Sequence, residues 1–156
     1  TRSGAVDPGL LLHLQLQCGL SAAELFDALY TRSGLLGVSG DVRNVQAAAD
    51  RGQPRPALAY ELFIHSIRRA IGGMAAVLGG VDALVFTGGI GEHVARVRAD
   101  AVATLAFAGV QLDDGANRSA AGDADIARHG SAARVLVIAA REYLVILDEV
   151  RAALAP

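Results

Sequence analysis

Lysine is absent from this chain: all 14 basic residues are arginine. That excludes a lysine nucleophile and a P-loop lysine within the segment, and it points to an Arg- and Ala-rich coding bias. Cysteine is nearly absent. Cys18 stands alone, so no internal disulfide forms, and no Cys/His cluster has zinc spacing. This fits a reducing, cytoplasmic setting. A basic cluster is missing too, and a net charge of -2 gives no electrostatic footprint for nucleic acid. Long apolar runs are lacking. The most apolar stretch, Ala75 to Gly91, contains Asp82 and five glycines and reads as a helix end plus a strand, not a membrane span. No secretory pattern opens the chain. The first residue is Thr rather than Met and lies inside what reads as a functional turn, so a piece of a larger protein is expected.

What is present is apolar. Hydrophobic residues make up 53% of the 156 and charged residues 19%, which argues against disorder. The length suits one well-cored domain burying about 70% of its unfolded surface. Pro8 opens a helix through Leu10, Leu11, Leu14 and Leu16 that ends at Gly19. Ser21 and Glu24 have capping-box spacing for a helix from Ala22 to about Thr31. Residues 33–40 read as a glycine-punctuated turn, and Asp41 starts a short helix to Asp50. After the Pro54/Pro56 break, Tyr60, Phe63, Ile64, Ile67, Ile71, Met74 and Leu78 recur at helical steps from about Ala57 to Leu78. Gly72-Gly73 inside that helix predicts close packing against another backbone. A strand from Ala83 to Thr87, a glycine loop and a helix carrying Val94, Val97, Ala101 and Leu105 follow. Val110 to Leu112 reads as a short strand, Asp113 to Gly130 as a surface excursion, Arg134 to Ala139 as a second strand. The last helix places Tyr143, Ile146, Leu147, Val150 and Leu154 on one face. Helices alternating with strands predict an α/β layer.

The candidate chemistry centres on Gly88, Gly89 and Gly91, which follow a strand and precede a helix. Bare backbone in that order brings N–H groups up to a phosphate; the bland alternative is a tight turn. The spacing is not GxGxxG and no acidic residue ends a second strand about 20 residues later, which disfavours a dinucleotide site. Arg2, between Thr1 and Ser3-Gly4, is a candidate clamp for a phosphoryl group, or a solvated arginine. Glu142 opens the last helix and is a candidate Mg²⁺ ligand, or simply a favourable acid in a first helical turn. Asp41 and Arg43 sit beside a glycine turn and suit a nucleotide contact, or a helix cap with a solvated arginine. His93 follows the glycine loop, with no catalytic dyad in view.

Together, Thr1-Arg2-Ser3-Gly4 with Asp7-Pro8-Gly9, Ser33-Gly34-Leu35-Leu36-Gly37, Asp41-Val42-Arg43, the segment Asp82 to Glu92 that contains Phe86-Thr87-Gly88-Gly89-Ile90-Gly91-Glu92, and Val137-Ile138 resemble the acetate kinase family. Butyrate and propionate kinases are its close relatives. The match runs nearly end to end and is to the C-terminal domain. The resemblance implies the α/β, ribonuclease H-like fold of the acetate and sugar kinase/Hsp70/actin superfamily, with an N-terminal domain absent here. It implies ATP-dependent phosphorylation of acetate, ATP/ADP and Mg²⁺ as cofactors, and a homodimer. By residue, it implies that Arg2 stabilises the transferring phosphoryl group, that Asp41, Val42 and Arg43 contact nucleotide, that Gly89, Ile90, Gly91, Glu92 and His93 lie along ATP, and that Glu142 is associated with magnesium. The chain departs from the pattern at three places. His93 stands where the family has Asn, the stretch before Asp41 is shorter, and Ala139-Ala140-Arg141-Glu142-Tyr143 replaces Pro-Thr-x-Glu-Glu. A non-catalytic nucleotide-binding or dimerisation module, or a propionate or butyrate kinase, is the alternative.

Overall fold

The computed structural model describes residues 2–39 and 42–154, with backbone alone for 42–44. The chain divides into two compact units, Thr1–Ser66 and Ile67–Pro156.

In the first unit, helix α1 (Pro8–Leu16) has Pro8 in its first turn and Asp7 as its cap, the carboxylate accepting from the Gly9 N–H at 2.6 Å. It stops at Leu16, short of Gly19. Helix α2 (Ala22–Thr31) carries the expected capping box: Ser21 Oγ accepts from Glu24 N at 3.3 Å, and Ser21 N donates to Glu24 Oε2 at 2.8 Å. Residues 34–38, read from sequence as turn, form helix α3 (Gly34–Val38). Helix α4 spans Val42–Asp50, and α5 (Pro54–Leu78) starts at Pro54 because proline's missing N–H is harmless in a first turn. Leu25, Val45, Ala48, Ala59, Tyr60 and Ile64 are buried.

In the second unit the elements run β1 (Ala83–Phe86), α6 (Gly88–His93), α7 (Ala95–Val102), a 3₁₀ turn (Ala106–Ala108), α8 (Asp114–Ser119), β2 (Ala124–Asp125), β3 (Arg134–Val137) and α9 (Glu142–Leu154). The sheet order is β1-β3-β2. Strands β1 and β3 are parallel, with Ala83 opposite Arg134 and Phe86 opposite Val137, while β2 is antiparallel to β3. One core joins Phe86, Ala101, Val102, Leu105, Val110, Ile126, Ala133, Val135 and Val137, with Ile67 and Ile71 of α5 packed against it.

Four expectations change. A Cβ on Gly72 or Gly73 would meet nothing within 4 Å, so no backbone packs closely on them among the described residues. Met74 and Leu78 of the predicted apolar stripe are exposed. Residues 113–130 are mostly exposed, as expected of a surface excursion, but they are tied to the sheet. Asn117 and Ile126 are buried, Ile126 within the sheet's core cluster, and β2 pairs with β3. Val110 and Leu112 make isolated bridges, to Ala133 and Ala127, rather than a strand. Helix α9 forms as expected, but none of its residues is buried.

Candidate active site

Because β1 and β3 run parallel, the turns leaving their C-terminal ends are neighbours. This is the edge where open α/β sheets receive ligands. Ile138 N donates to Phe86 O at 2.9 Å and carries the ladder past the strand ends. Beyond it, one carboxylate oxygen ties the two turns together: Glu92 Oε1 accepts from Gly88 N and from Ala140 N, each at 2.8 Å. The topology therefore brings the glycine segment and the residues leading to Glu142 to one place.

The glycines do not form a loop ahead of a helix; they are the first turns of α6 itself. Each glycine weakens a helix by about 1 kcal/mol relative to alanine; the Glu92 carboxylate of the same segment bonds the Gly88 N–H at its start. The helix predicted to follow is α7, which begins after Val94 (φ -112°, ψ 84°) and ends at Val102, before Leu105. Each glycine has its own reason. Gly88 has φ +71°, a backbone that favours glycine, and its N–H is already engaged by Glu92. A Cβ on Gly91 would sit 3.3 Å from the Phe86 carbonyl carbon, so this glycine lets α6 lie on β1. Gly89 has neither constraint. It is exposed, its φ is not positive, and a Cβ there would meet nothing within 4 Å. Its bareness serves nothing inside the described chain. His93 closes α6 and is exposed.

Glu142 is exposed and opens α9. Among the described residues, no group of three or more His, Cys, Asp or Glu side chains converges to cage an ion. A lone hard carboxylate fits Mg²⁺, which is commonly held by one or two carboxylates plus substrate phosphates. Neighbouring Arg141 is engaged elsewhere: its Nη2 donates to Asp123 Oδ2 at 2.8 Å. Asp123 Oδ1 accepts from Ala139 N at 2.9 Å. The Ala139 N–H first, and the Arg141 guanidinium second, hold the Asp123 carboxyl below its ordinary pKa. A depressed folded pKa means that this contact stabilises the turn above the unfolded value, about 3.9, and is lost as pH falls through the folded one. The Ala139 amide resonance is therefore expected to titrate with a midpoint below about 3.9; a midpoint at or above it contradicts the contact.

In the first unit, the Arg2 guanidinium lies over the Tyr30 ring, 3.9 Å from its centroid, and Nη1 donates to Tyr30 O at 2.8 Å. Phe26 stacks on the same ring at 4.8 Å, so a cation–aromatic–aromatic stack orients the arginine. Gly34 (φ +64°) approaches the Arg2 backbone so closely that a Cβ would lie 2.5 Å from Arg2 O. Arg2 of Thr1-Arg2-Ser3-Gly4 and Gly34 of Ser33-Gly34 thus meet. Asp41 and the side chains of Val42 and Arg43 lie outside the described residues; the backbone of Val42 and Arg43 opens α4. Arg2 belongs to the first unit and the glycine segment to the second.

Sequence reading missed Arg98, Asn117 and Asp123. Arg98 is 1% exposed and Asn117 3%, and they bond each other across 19 positions. A lone arginine on an amphipathic helix carries no signal of such burial. Asp123 stood in a polar run with nothing to single it out.

The sequence profile described as the Acetokinase family matches residues 1–148. The chain is 48% identical to the acetate kinase of Gloeobacter violaceus over 96% of its own length and 38% of that protein's. It is 38% identical to the acetate kinase of Corynebacterium jeikeium, over 94% of this chain and 38% of that protein. Among solved structures, Porphyromonas gingivalis acetate kinase superposes with a TM-score of 0.87 at 36% identity, over 99% of this chain and 40% of that one. A propionate kinase from Francisella tularensis superposes with a TM-score of 0.83 at 35% identity, over 94% of this chain and 38% of that one. The chain thus spans less than half the length of these relatives. The mixed α/β architecture, the glycine segment beyond β1 and the match over nearly every residue agree: this chain belongs to the acetokinase family.

Proposed function

We propose that this chain is the C-terminal, nucleotide-binding domain of an enzyme that phosphorylates acetate, converting ATP and acetate to ADP and acetyl phosphate by reversible in-line transfer. The observation that carries the reading is the meeting of the glycine segment with the Glu142 segment at the ends of β1 and β3, around Glu92. Phosphoryl transfer asks little covalent chemistry of a protein; it asks for positioning and charge. In this reading Gly89, Ile90 and Gly91, with Glu92 and His93, line the polyphosphate, and Asp41, Val42 and Arg43 contact the nucleotide. Glu92 does so as an organiser, since its carboxylate holds Gly88 and Ala140 in register. Arg2, oriented by Tyr30, stabilises charge on the transferring phosphoryl group. Glu142 would hold Mg²⁺ together with the nucleotide phosphates; when bound, the ion neutralises charge on the phosphate oxygens. The remaining catalytic groups belong to an N-terminal domain outside this chain. The protein acts in the cytoplasm as a homodimer. No helix among the described residues is long and apolar enough to cross a membrane, and the exposed apolar side chains of α9 suit burial against further protein.

The test is to supply the chain with acetate and magnesium ATP and trap acetyl phosphate with hydroxylamine. The expected result is weak nucleotide binding and no product above buffer; measurable turnover overturns the division of labour. In a nucleotide titration, Arg2→Ala is expected to leave affinity unchanged, and a loss of binding removes Arg2 from the transfer role. A second reading, a non-catalytic nucleotide-binding or dimerisation module, is favoured by His93 and Tyr143. The propionate kinase neighbour keeps a propionate- or butyrate-specific enzyme as a variant of the first.

A further inference from the structure

We propose that Arg98 and Asn117 are positioning residues for the glycine segment, holding α6 from its C-terminal end so that its opening amides keep their direction; this rests on the nucleotide reading above.

The need arises from the sequence of α6. Three of its residues are glycine, each weakening a helix by about 1 kcal/mol relative to alanine. It is also short, and helix ends leave their last carbonyls without intrahelical donors. Val94 N still donates to Ile90 O at 3.0 Å, but the chain then leaves the helical region at Val94. The carbonyls of Gly91 and Glu92 lie beyond that bond.

Arg98 supplies what the backbone does not. Its Nη1 donates to Gly91 O and to Glu92 O, each at 2.8 Å. Nε donates to Asn117 Oδ1 and Nη2 to Asn117 O, both at 2.7 Å. Asn117 Nδ2 in turn donates to Ala95 O at 2.8 Å, at the start of α7. The planar fork of a guanidinium meets these four oxygens at once, which the compact ammonium of lysine does not. Every acceptor is neutral; among the described residues no carboxylate pairs with Arg98. Burial accordingly lowers its pKa from the ordinary arginine value.

The partners matter more than the burial. The Glu92 carbonyl rests on Arg98 while the Glu92 carboxylate holds Gly88 N and Ala140 N. One bonded path therefore runs from α8 through Arg98 and Glu92 to both turns of the candidate site. Slack at Arg98 tilts α6, and with it the exposed backbone at Gly89.

The test uses the full chain labelled with ¹⁵N and titrated with magnesium ADP, comparing Arg98→Lys, Asn117→Ser and Val135→Ala. Val135 is fully buried in β3 and bonds neither partner, so it controls for general destabilisation. Measurements are made where all variants have wild-type circular dichroism. Arg98→Lys and Asn117→Ser are expected to shift the Gly88, Gly89 and Ile90 amides and to speed exchange at Gly88 and Val94 at least about tenfold. Both should weaken ADP at least about fivefold, roughly 1 kcal/mol. Val135→Ala should lower the melting temperature and leave α6 and affinity alone. Unchanged α6 amides and affinity in a folded clamp variant overturn the proposal, as does an equal loss in Val135→Ala. If Arg98→Lys does not fold, Asn117→Ser decides. If the wild-type chain binds no ADP, the nucleotide reading fails, and the amide shifts and exchange rates still judge the clamp.

Discussion

Gly89→Ala should weaken magnesium ADP binding at least about tenfold, or 1.4 kcal/mol, while leaving the fold as stable as before or up to about 1 kcal/mol more stable. The two halves of that result have separate causes. The added methyl group enters open space, and alanine is the better helix former, so the fold gains or is indifferent. The same methyl group occupies the space through which a phosphate would reach the backbone. Neither neighbouring glycine gives so clean a probe. Gly88→Ala strains a left-handed backbone at φ +71°, which costs about 1–2 kcal/mol. Gly91→Val drives a branched side chain against the Phe86 backbone at 3.3 Å, so lost binding would be mixed with a displaced helix. Unchanged ADP affinity in Gly89→Ala would remove the phosphate from this segment.

Gly34→Ala is expected to destabilise the first unit by about 3 kcal/mol or more. A left-handed backbone at φ +64° and an approach of 2.5 Å to Arg2 O act at the same residue. Strain of the first kind alone is worth about 1–3 kcal/mol. The obstructing atom is backbone and cannot swing aside as the end of a flexible side chain would. The backbone at Arg2 would therefore be displaced, and Arg2 would leave its seat over Tyr30. Urea unfolding, with amide exchange in α2 as the local readout, measures both effects. A loss below about 1 kcal/mol with the Arg2–Tyr30 contact intact would show that Gly34 does not set the position of Arg2.

Much of this architecture was legible because its signals are local. Ser21 and Glu24 specify a cap within one turn, and both halves of that box are present. The β-branched and apolar runs from Ala83 to Thr87 and from Arg134 to Ala139 predicted strands, and these became the slightly shorter parallel pair Ala83–Phe86 and Arg134–Val137. What escaped depends on contacts between residues far apart in sequence. Nothing local distinguishes Arg98 from an exposed arginine until Asn117 folds back onto it. The order of strand, bare backbone and helix suggested a loop at Gly88–Gly91, yet the segment is helical, with Glu92 bonded to Gly88 N and Arg98 to Gly91 O. Polar composition hid Ile126, which is fully buried in the core of the second unit. The apolar face predicted for α9 is real as a pattern, although no residue of that helix is buried.

The central claim is that nucleotide phosphates sit where the turns after β1 and β3 meet. Amide mapping during a magnesium ADP titration of the ¹⁵N-labelled chain tests it most directly, and remains informative for weak binding. The expected result is a set of saturable shifts concentrated at Gly89 to Gly91 and at Ala140 to Glu142, with Val135 in mid-strand unmoved. Saturable shifts that spare both turns and cluster elsewhere, or no shifts at millimolar nucleotide, would contradict the account.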